Sequence, residues 1–189
     1  MDTLDLLLHP LRIRIVRAMS GGRTLTTSDI CARLPDVPKT SVYRHVGLLA
    51  AAGLLEVAGE QRVRGAVERR YRLNRARAMI GPATAASMSL EDHRDGFAAA
   101  VAALLADFNA YLDRAHADPA ADSVGYRQIP LWLNQDELAE LIDEIRGAVM
   151  SRMDNAPTPD RGLYLLSPIL FPIEEPPHGT DPDGPVKPA

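Results

Sequence analysis

The chain has 189 residues and a net charge of −4, and 46% of its residues are hydrophobic, which is enough for a packed core. This length suits one medium domain or two small ones that fold without disulfides, and the single cysteine, Cys31, cannot form an internal bridge. The longest apolar run, Phe97 to Ala106, is far shorter than the roughly 20 residues that span a bilayer. We therefore expect a cytoplasmic protein without a membrane segment.

Charge is divided unevenly along the chain. Residues 9–77 contain fourteen Lys and Arg against five Asp and Glu, whereas residues 78–189 contain seven against eighteen. A basic segment joined to an acidic one favours binding of a polyanion by the first and repels it from the second. A charge run often forms only a solvated face, but here the basic segment coincides with a recognisable order of elements.

Residues 9–73 contain the signals of three helices and a hairpin. Pro10 fits the first turn of a helix, where its missing N–H is not needed. Gly53 ends the third helix. In chain order the predicted elements are a helix from His9-Pro10 to Gly21-Gly22, a short helix 27–34, a turn 35–38, a helix 39–53, and an apolar strand, a basic tip 62–65 and a return strand ending at Leu73. Helix, tight turn, helix and basic hairpin is the order of a winged helix-turn-helix.

The helix 39–53 is expected to contact DNA. Val42, Val46 and Leu49 fall on one face and anchor it, which leaves its N-terminal half exposed toward the major groove. Arg44 suits a bidentate contact to guanine, and His45 suits a phosphate. Hydroxyls at the start of helix 27–34 and arginines of the hairpin add backbone contacts. The predicted DNA-binding residues are Thr27, Ser28, Lys39, Thr40, Ser41, Tyr43, Arg44, His45, Arg62 and Arg64.

A long helix is predicted after the connector 74–88. Ser89 and Asp92 have the spacing of a capping box, which opens a helix running to about His116. Its large apolar residues recur at steps of three and four, separated by many alanines. The stripe packs either on its own domain or against a second copy, and we favour a two-fold dimer seam. The predicted interface residues are Phe97, Val101, Leu104, Leu105, Phe108 and Leu112.

Residues 124–173 show a β-α-β-like pattern. Residues 124–133 alternate like a strand, Asn134 caps a helix, and residues 162–173 read as an edge or bulged strand because of two prolines. Four aromatic residues of this segment belong either to a core or dimer contact, which we favour, or to a small-molecule pocket: Tyr126, Trp132, Tyr164 and Phe171. The segment from Glu174 onward is rich in Pro, Gly and acid, and is predicted to be disordered.

The predicted fold class is mainly α with small β (α+β). It comprises a winged helix-turn-helix domain over 1–77, a connector and long dimerisation helix over 78–123, a C-terminal α/β segment over 124–173, and a tail over 174–189.

Several segments resemble ArsR-type winged-helix transcriptional regulators, and the resemblance covers about residues 8–75. It rests on Ile30-Cys31-Ala32-Arg33-Leu34, Ser41-Val42-Tyr43-Arg44-His45-Val46, Leu49, Ala52-Gly53-Leu54-Leu55-Glu56 and Gly65-Ala66-Val67-Glu68-Arg69-Arg70-Tyr71. The resemblance implies a homodimer that binds an imperfect palindrome in double-stranded DNA and represses transcription. It also implies release of the DNA when a signal arrives, which a small-molecule effector would provide.

The chain departs from the metal-sensing members of that family. Those proteins carry a Cys-x-Cys pair where this chain has Thr26 and Ser28, and Cys31 alone reads as a small core residue. A second family site uses Asp, His and acidic residues on the dimer helix. His93 and His116 would lie more than roughly 30 Å apart on one helix, so they could meet only across a dimer. We predict no metal and no cofactor.

The sequence contains no Gly-rich phosphate loop, serine elbow or paired catalytic carboxylates, so we do not expect an enzyme. The alternative among DNA-binding proteins is an architectural protein without ligand sensing. Titration of metabolites or metals against the DNA complex would separate the two.

Overall fold

A computed structural model describes residues 6–63, 66–78, 81–153, 155–156 and 158–174. The elements are α1 (Pro10–Met19), β1 (Thr24–Thr26), α2 (Thr27–Arg33), α3 (Lys39–Ala51), β2 (Leu55–Val63), β3 (Ala66–Leu73), α4 (Pro82–Ser87), α5 (Leu90–Leu112) and α6 (Gln135–Met153). The α+β class, the helix-turn-helix with its hairpin and the long helix are therefore confirmed. The chain divides into two compact units, Met1–Asn155 and Ala156–Ala189, and all these elements lie in the first.

The helix ends are fixed by local hydrogen bonds that the sequence encodes. The Thr26 hydroxyl accepts from the backbone N–H of Asp29 at 3.1 Å, and the Asp29 carboxylate accepts from the N–H of Thr26 at 2.9 Å. This capping box starts α2. Gly53 ends α3 with φ of 72°, and the N–H groups of Gly53 and Leu54 donate to the carbonyls of Ala50 and Leu49. A left-handed residue with these two bonds is a Schellman motif.

The hairpin belongs to a three-stranded antiparallel sheet with the order β1-β3-β2. Leu25 of β1 pairs with Tyr71, and Leu55 pairs with Leu73 at the base of the hairpin. A register shift between Val57 and Gly59 marks a bulge, beyond which the hairpin continues as the wing. Strand β1 was not predicted, because three residues are too few to show an alternating pattern.

A single apolar cluster joins α1, α2, α3 and the base of the hairpin. Its fully buried members include Ile15, Met19, Ile30, Leu49 and Leu54, and Cys31 is also buried, as predicted. Each large side chain of this kind contributes about 1.5–3 kcal/mol through removal from water. This cluster fixes α3 by its inner face and leaves its outer face exposed.

Helix α5 has two different faces. Its small-residue face is buried at Ala99 and Ala103, and at Gly96 a Cβ would lie only 3.0 Å from Leu8, so glycine permits the close approach. At about 100° per residue, five large apolar side chains lie about 120–200° around the helix from Ala103, and Leu104 lies about 100° from it. Four of them are clearly exposed: Phe97 at 51%, Val101 at 38%, Leu105 at 58% and Leu112 at 44%. Phe108 and Leu104 are half-buried.

The structure corrects two sequence predictions, the length of α5 and the strands expected in the C-terminal segment. Helix α5 ends at Leu112 rather than near His116, with Asp113 as its C-cap. Residues 124–133 and 162–173 do not form strands in the described part of the chain. A strand exists only through hydrogen bonds to a neighbour, and alternation cannot supply that neighbour. Helix α6 begins directly after its predicted N-cap, Asn134, but contains no buried residue. The predicted disordered tail lies outside the described residues apart from Glu174.

Helix α5 is also the one helix in the described ranges that is long and apolar enough to cross a membrane, with a mean hydropathy of 1.2. The length of the longest unbroken apolar run does not identify this helix as a candidate, because polar residues interrupt its apolar ones. Its alanines raise the mean hydropathy, and two of them pack inward. Asp107 near its C-terminal end accepts hydrogen bonds from two arginines of α1. These contacts integrate α5 into the first unit.

Candidate nucleic-acid interface

Helix α3 presents a polar face at its N-terminal half. Val42, Val46 and Leu49 are buried, as predicted, at 0–2% exposure. Pro38 is the N-cap, and no side chain caps the helix. The N–H groups of Ser41 and Val42 donate to the carbonyl of Pro38, so the N–H groups of Lys39 and Thr40 are the ones that suit an incoming phosphate. The exposed side chains on this half are Lys39, Thr40, Tyr43 and Arg44, with Ser41 half-buried beside them.

The start of α2 meets this face through Tyr43. The hydroxyl groups of Tyr43 and Ser28 lie 3.3 Å apart, and both residues are exposed. Ser28 therefore lies next to the exposed half of α3. This position agrees with the contact to the DNA backbone that was predicted for its hydroxyl group. Thr27, the other residue predicted on α2, is 9% exposed and belongs mostly to the interior.

His45 does not belong to the exposed face. Its side chain is 3% exposed, and its ring lies 4.5 Å from that of His9. Arg12 Nε donates to its Nδ1 at 3.2 Å, and Nη2 of Arg44 lies 3.1 Å from its Nε2. Both ring nitrogens are thus occupied from within the protein. The expectation that His45 donates to a phosphate is corrected, because no part of the ring faces solvent.

The protonation state of His45 leads to the same conclusion. Burial, the largest cause, and the neighbours His9, Arg44 and Arg12 together lower its pKa to about 4. The ring is therefore neutral near pH 7 and carries no charge toward DNA. A neutral imidazole has one acceptor nitrogen, and because Nδ1 accepts from Arg12, Nε2 cannot also accept from Arg44. His45 is therefore held in the interior by Arg12 and lies beside Arg44 without contacting a ligand.

The hairpin contributes exposed arginines, some of which are paired. Arg69 contacts Glu60 and Arg72 contacts Glu56, each at 3.0 Å and on the exposed surface. Exposed pairs of this kind contribute little to stability but reduce the local positive charge. Arg62 is exposed near the end of β2. Arg64, predicted at the tip, lies outside the described residues.

The aromatic residues considered for an effector pocket are exposed within one copy. Tyr126 is 81% and Trp132 is 88% exposed, and the rings of Tyr126 and Phe108 meet edge-on with 6.3 Å between their centroids. Tyr164 and Phe171, in the second unit, are also exposed. All four side chains are therefore exposed within one copy, and both the dimer contact and the small-molecule pocket remain predictions. Among the residues with described positions, no group of three or more His, Cys, Asp or Glu could hold a metal.

Sequence reasoning missed Arg14, which is 5% exposed. Its guanidinium contacts Asp36 in the turn before α3 and Asp107 on α5. Arginine is rarely buried without partners. The Pro35-Asp36 turn gave only a breaker signal, and Asp107 is too distant along the chain for any local pattern to link it to Arg14.

Residues 7–58 match the family model of a helix-turn-helix domain. The N-terminal part of this protein is a helix-turn-helix domain. The match spans α1, β1, α2 and α3 and ends within β2, so it covers the exposed face of α3 described above. This family is a DNA-binding regulator domain rather than an enzyme. No curated protein matches the chain.

Proposed function

We propose that this protein is a sequence-specific transcriptional regulator of ArsR type that acts in the cytoplasm as a homodimer on a palindromic operator. The observation that carries the proposal is the geometry of α3. Its apolar side is buried in a helix-turn-helix, and its N-terminal half exposes Lys39, Thr40, Tyr43 and Arg44. A helix of this kind reads base edges in the major groove.

Arg44 is the proposed specificity residue. A guanidinium can donate two hydrogen bonds to O6 and N7 of guanine, which is worth about 1–3 kcal/mol of discrimination. The side chain of Arg44 lies beside the buried ring of His45, with 3.1 Å between Nη2 and Nε2. Ser28, Lys39, Thr40, Ser41 and Tyr43 serve phosphates or nearby base edges. Arg62 and Arg64 serve the minor groove and its phosphates.

The dimer proposal is supported by the apolar face of α5. Phe97, Val101, Leu105, Phe108 and Leu112 share one side of a 23-residue helix, and its opposite side already packs on the first unit. A contiguous exposed apolar stripe usually marks an interaction surface. A second copy offers an identical stripe, and a two-fold axis would then present two α3 helices to two half-sites. Repression and release by a small molecule rest on the resemblance of residues 8–75.

Selection of bound fragments from the source genome tests this function. The purified protein should enrich a palindromic duplex, and its affinity should fall steeply with salt. Arg44→Ala should weaken binding to that duplex far more than to random DNA, whereas Arg62→Ala should weaken both about equally. Arg146→Ala, which removes an exposed arginine from α6, is the control and should change neither. Absence of salt-sensitive binding to any duplex would refute the proposal.

A further inference from the structure

One buried guanidinium connects three parts of the first unit. Arg14, on α1, is 5% exposed and donates through Nη1 and Nη2 to the two oxygens of Asp36, at 2.6 and 2.9 Å. Its Nε donates to Oδ1 of Asp107 at 2.5 Å. Arg17 donates to the other oxygen of Asp107 at 2.9 Å. Because the guanidinium is planar, a bidentate contact to Asp36 and a contact to Asp107 fix its orientation.

The two carboxylates lie at functionally different places. Asp36 lies in the turn between α2 and α3, and the N–H of Val42 in α3 donates to the carbonyl of Pro38 at the end of that turn. Asp107 lies on α5, on the face that packs against α1, while the large apolar residues assigned above to the dimer seam lie on another face of the same helix. Arg14 therefore links the long helix to the N-terminal end of the helix proposed to enter the major groove.

The guanidinium of this link is buried, whereas its two carboxylates are partly exposed, at 34% for the Asp36 side chain and 26% for that of Asp107. Hydrogen bonds from Arg14 lower the pKa of Asp36, and hydrogen bonds to Asp36 and Asp107 raise the pKa of Arg14. Asp36 and Arg14 are therefore both ionised over the physiological range. Hydrogen bonds between ionised groups are roughly twice as strong as neutral ones, and loss of one partner leaves a buried charge poorly compensated.

We infer that the Asp107–Arg14–Asp36 bridge is a positioning device that couples the placement of α5 to that of the N-terminal end of α3. Arg14 acts through α3 and does not itself touch DNA. A change in α5, whether on dimer formation or on ligand binding, moves Asp107 and is transmitted to the turn that precedes α3. The inference rests on the proposed DNA-binding function.

A double-mutant cycle tests the bridge, with the full-length protein and the highest-affinity duplex from the genomic selection. Asp107→Asn and Arg14→Lys should each weaken binding by about tenfold, the scale of one charge-assisted hydrogen bond. The double variant should bind the duplex with an affinity no lower than that of the less tightly binding single variant, because both changes break the same bridge. Arg17→Gln is the matched control. It removes a hydrogen bond to Asp107 but leaves Asp36 untouched, so affinity should stay within about twofold of wild type.

Thermal unfolding and the active fraction of each variant are measured alongside, so that a loss of folded protein is not read as a loss of affinity. If Arg14→Lys does not fold, the cycle is run with Asp36→Asn and Asp107→Asn, which share the same guanidinium. The bridge would be overturned if the affinity losses of the two single variants multiplied in the double variant, or if Asp107→Asn bound DNA with wild-type affinity. Either result would leave the DNA-binding function intact. A wild-type protein that binds no duplex would overturn both.

Discussion

The buried His45 predicts a pH dependence of stability that can be calculated from its surroundings. Its folded-state pKa of about 4 lies below the ordinary value of 6.5, first because of burial and then because of His9, Arg44 and Arg12. The unfolded chain takes up a proton as the pH falls through about 6.5, while the folded chain takes it up only near 4. Protons therefore favour unfolding in this window. Linkage gives a loss of about 2 kcal/mol between about pH 7.5 and pH 5.

The variant His45→Gln isolates this contribution. A glutamine can still accept a hydrogen bond from Arg12 or Arg44 but does not titrate. Urea unfolding at a series of pH values should therefore show a flatter decline for His45→Gln than for wild type, by about 2 kcal/mol across that window. The carboxylates contribute equally to both proteins, so they cancel in the difference.

Exposed His93, at the start of α5, provides the control. His93→Gln should decline with pH as wild type does. Parallel stability curves for wild type and His45→Gln would refute the reasoning, because they would mean that His45 gains its proton equally in the folded and unfolded chains. The ring would then be open to solvent rather than buried beside Arg12.

Three further pairs of variants test the helix ends and the proposed seam. Gly53→Ala should lower the free energy of unfolding by about 1–2 kcal/mol because φ is 72°, whereas Gly47→Ala, inside α3 with open space around it, should raise it by about 1 kcal/mol. Ser89→Ala should remove about 1 kcal/mol by uncapping α5, and Ser151→Ala should have little effect. Val101→Asp with Leu105→Asp should give a monomer by light scattering, and Ser87→Asp should remain a dimer. The expectations would be contradicted if the two glycine variants changed the free energy of unfolding in the same direction, or if the two serine variants changed it equally. A dimer that persists in the double aspartate variant would contradict the proposed seam.

The elements that sequence predicted correctly are those whose determinants are adjacent in the chain. Thr26 and Asp29 cap α2 across three residues, and Ser89 and Asp92 do the same for α5. Gly53 ends α3 by its own conformation. The apolar positions of α3 recur at the helical period, so its buried and exposed faces could be assigned without coordinates.

The site residues that sequence misplaced depend on contacts between distant segments. His45 looks like a surface donor on α3, and only the packing of α1 against that helix buries it between His9 and Arg12. Arg14 looks like a solvated cation, and only two carboxylates, on the turn and on α5, make its burial favourable. Residue type predicts exposure on average, but a buried charge is decided by its partners.

The strand predicted at 124–133, which does not form within one copy, follows the same principle and leads to a last prediction. Ile129 and Leu131 are 68% and 56% exposed, and their segment has no regular secondary structure and pairs with no strand of the described residues. The alternation remains a strand signal, and it requires a neighbour that one copy does not supply. If the α5 seam forms a dimer, the second copy is the available neighbour.

Hydrogen exchange of the full-length protein then measures whether these amides are paired. Peptides covering 124–133 should be protected in wild type and should lose protection in the Val101→Asp, Leu105→Asp variant, because its chains separate. Peptides covering the core of α3 serve as the control and should remain protected in both proteins, since the apolar cluster of Ile30, Val42 and Leu49 lies within one copy. Fast exchange at 124–133 in an intact wild-type dimer would show that the alternation has no structural partner.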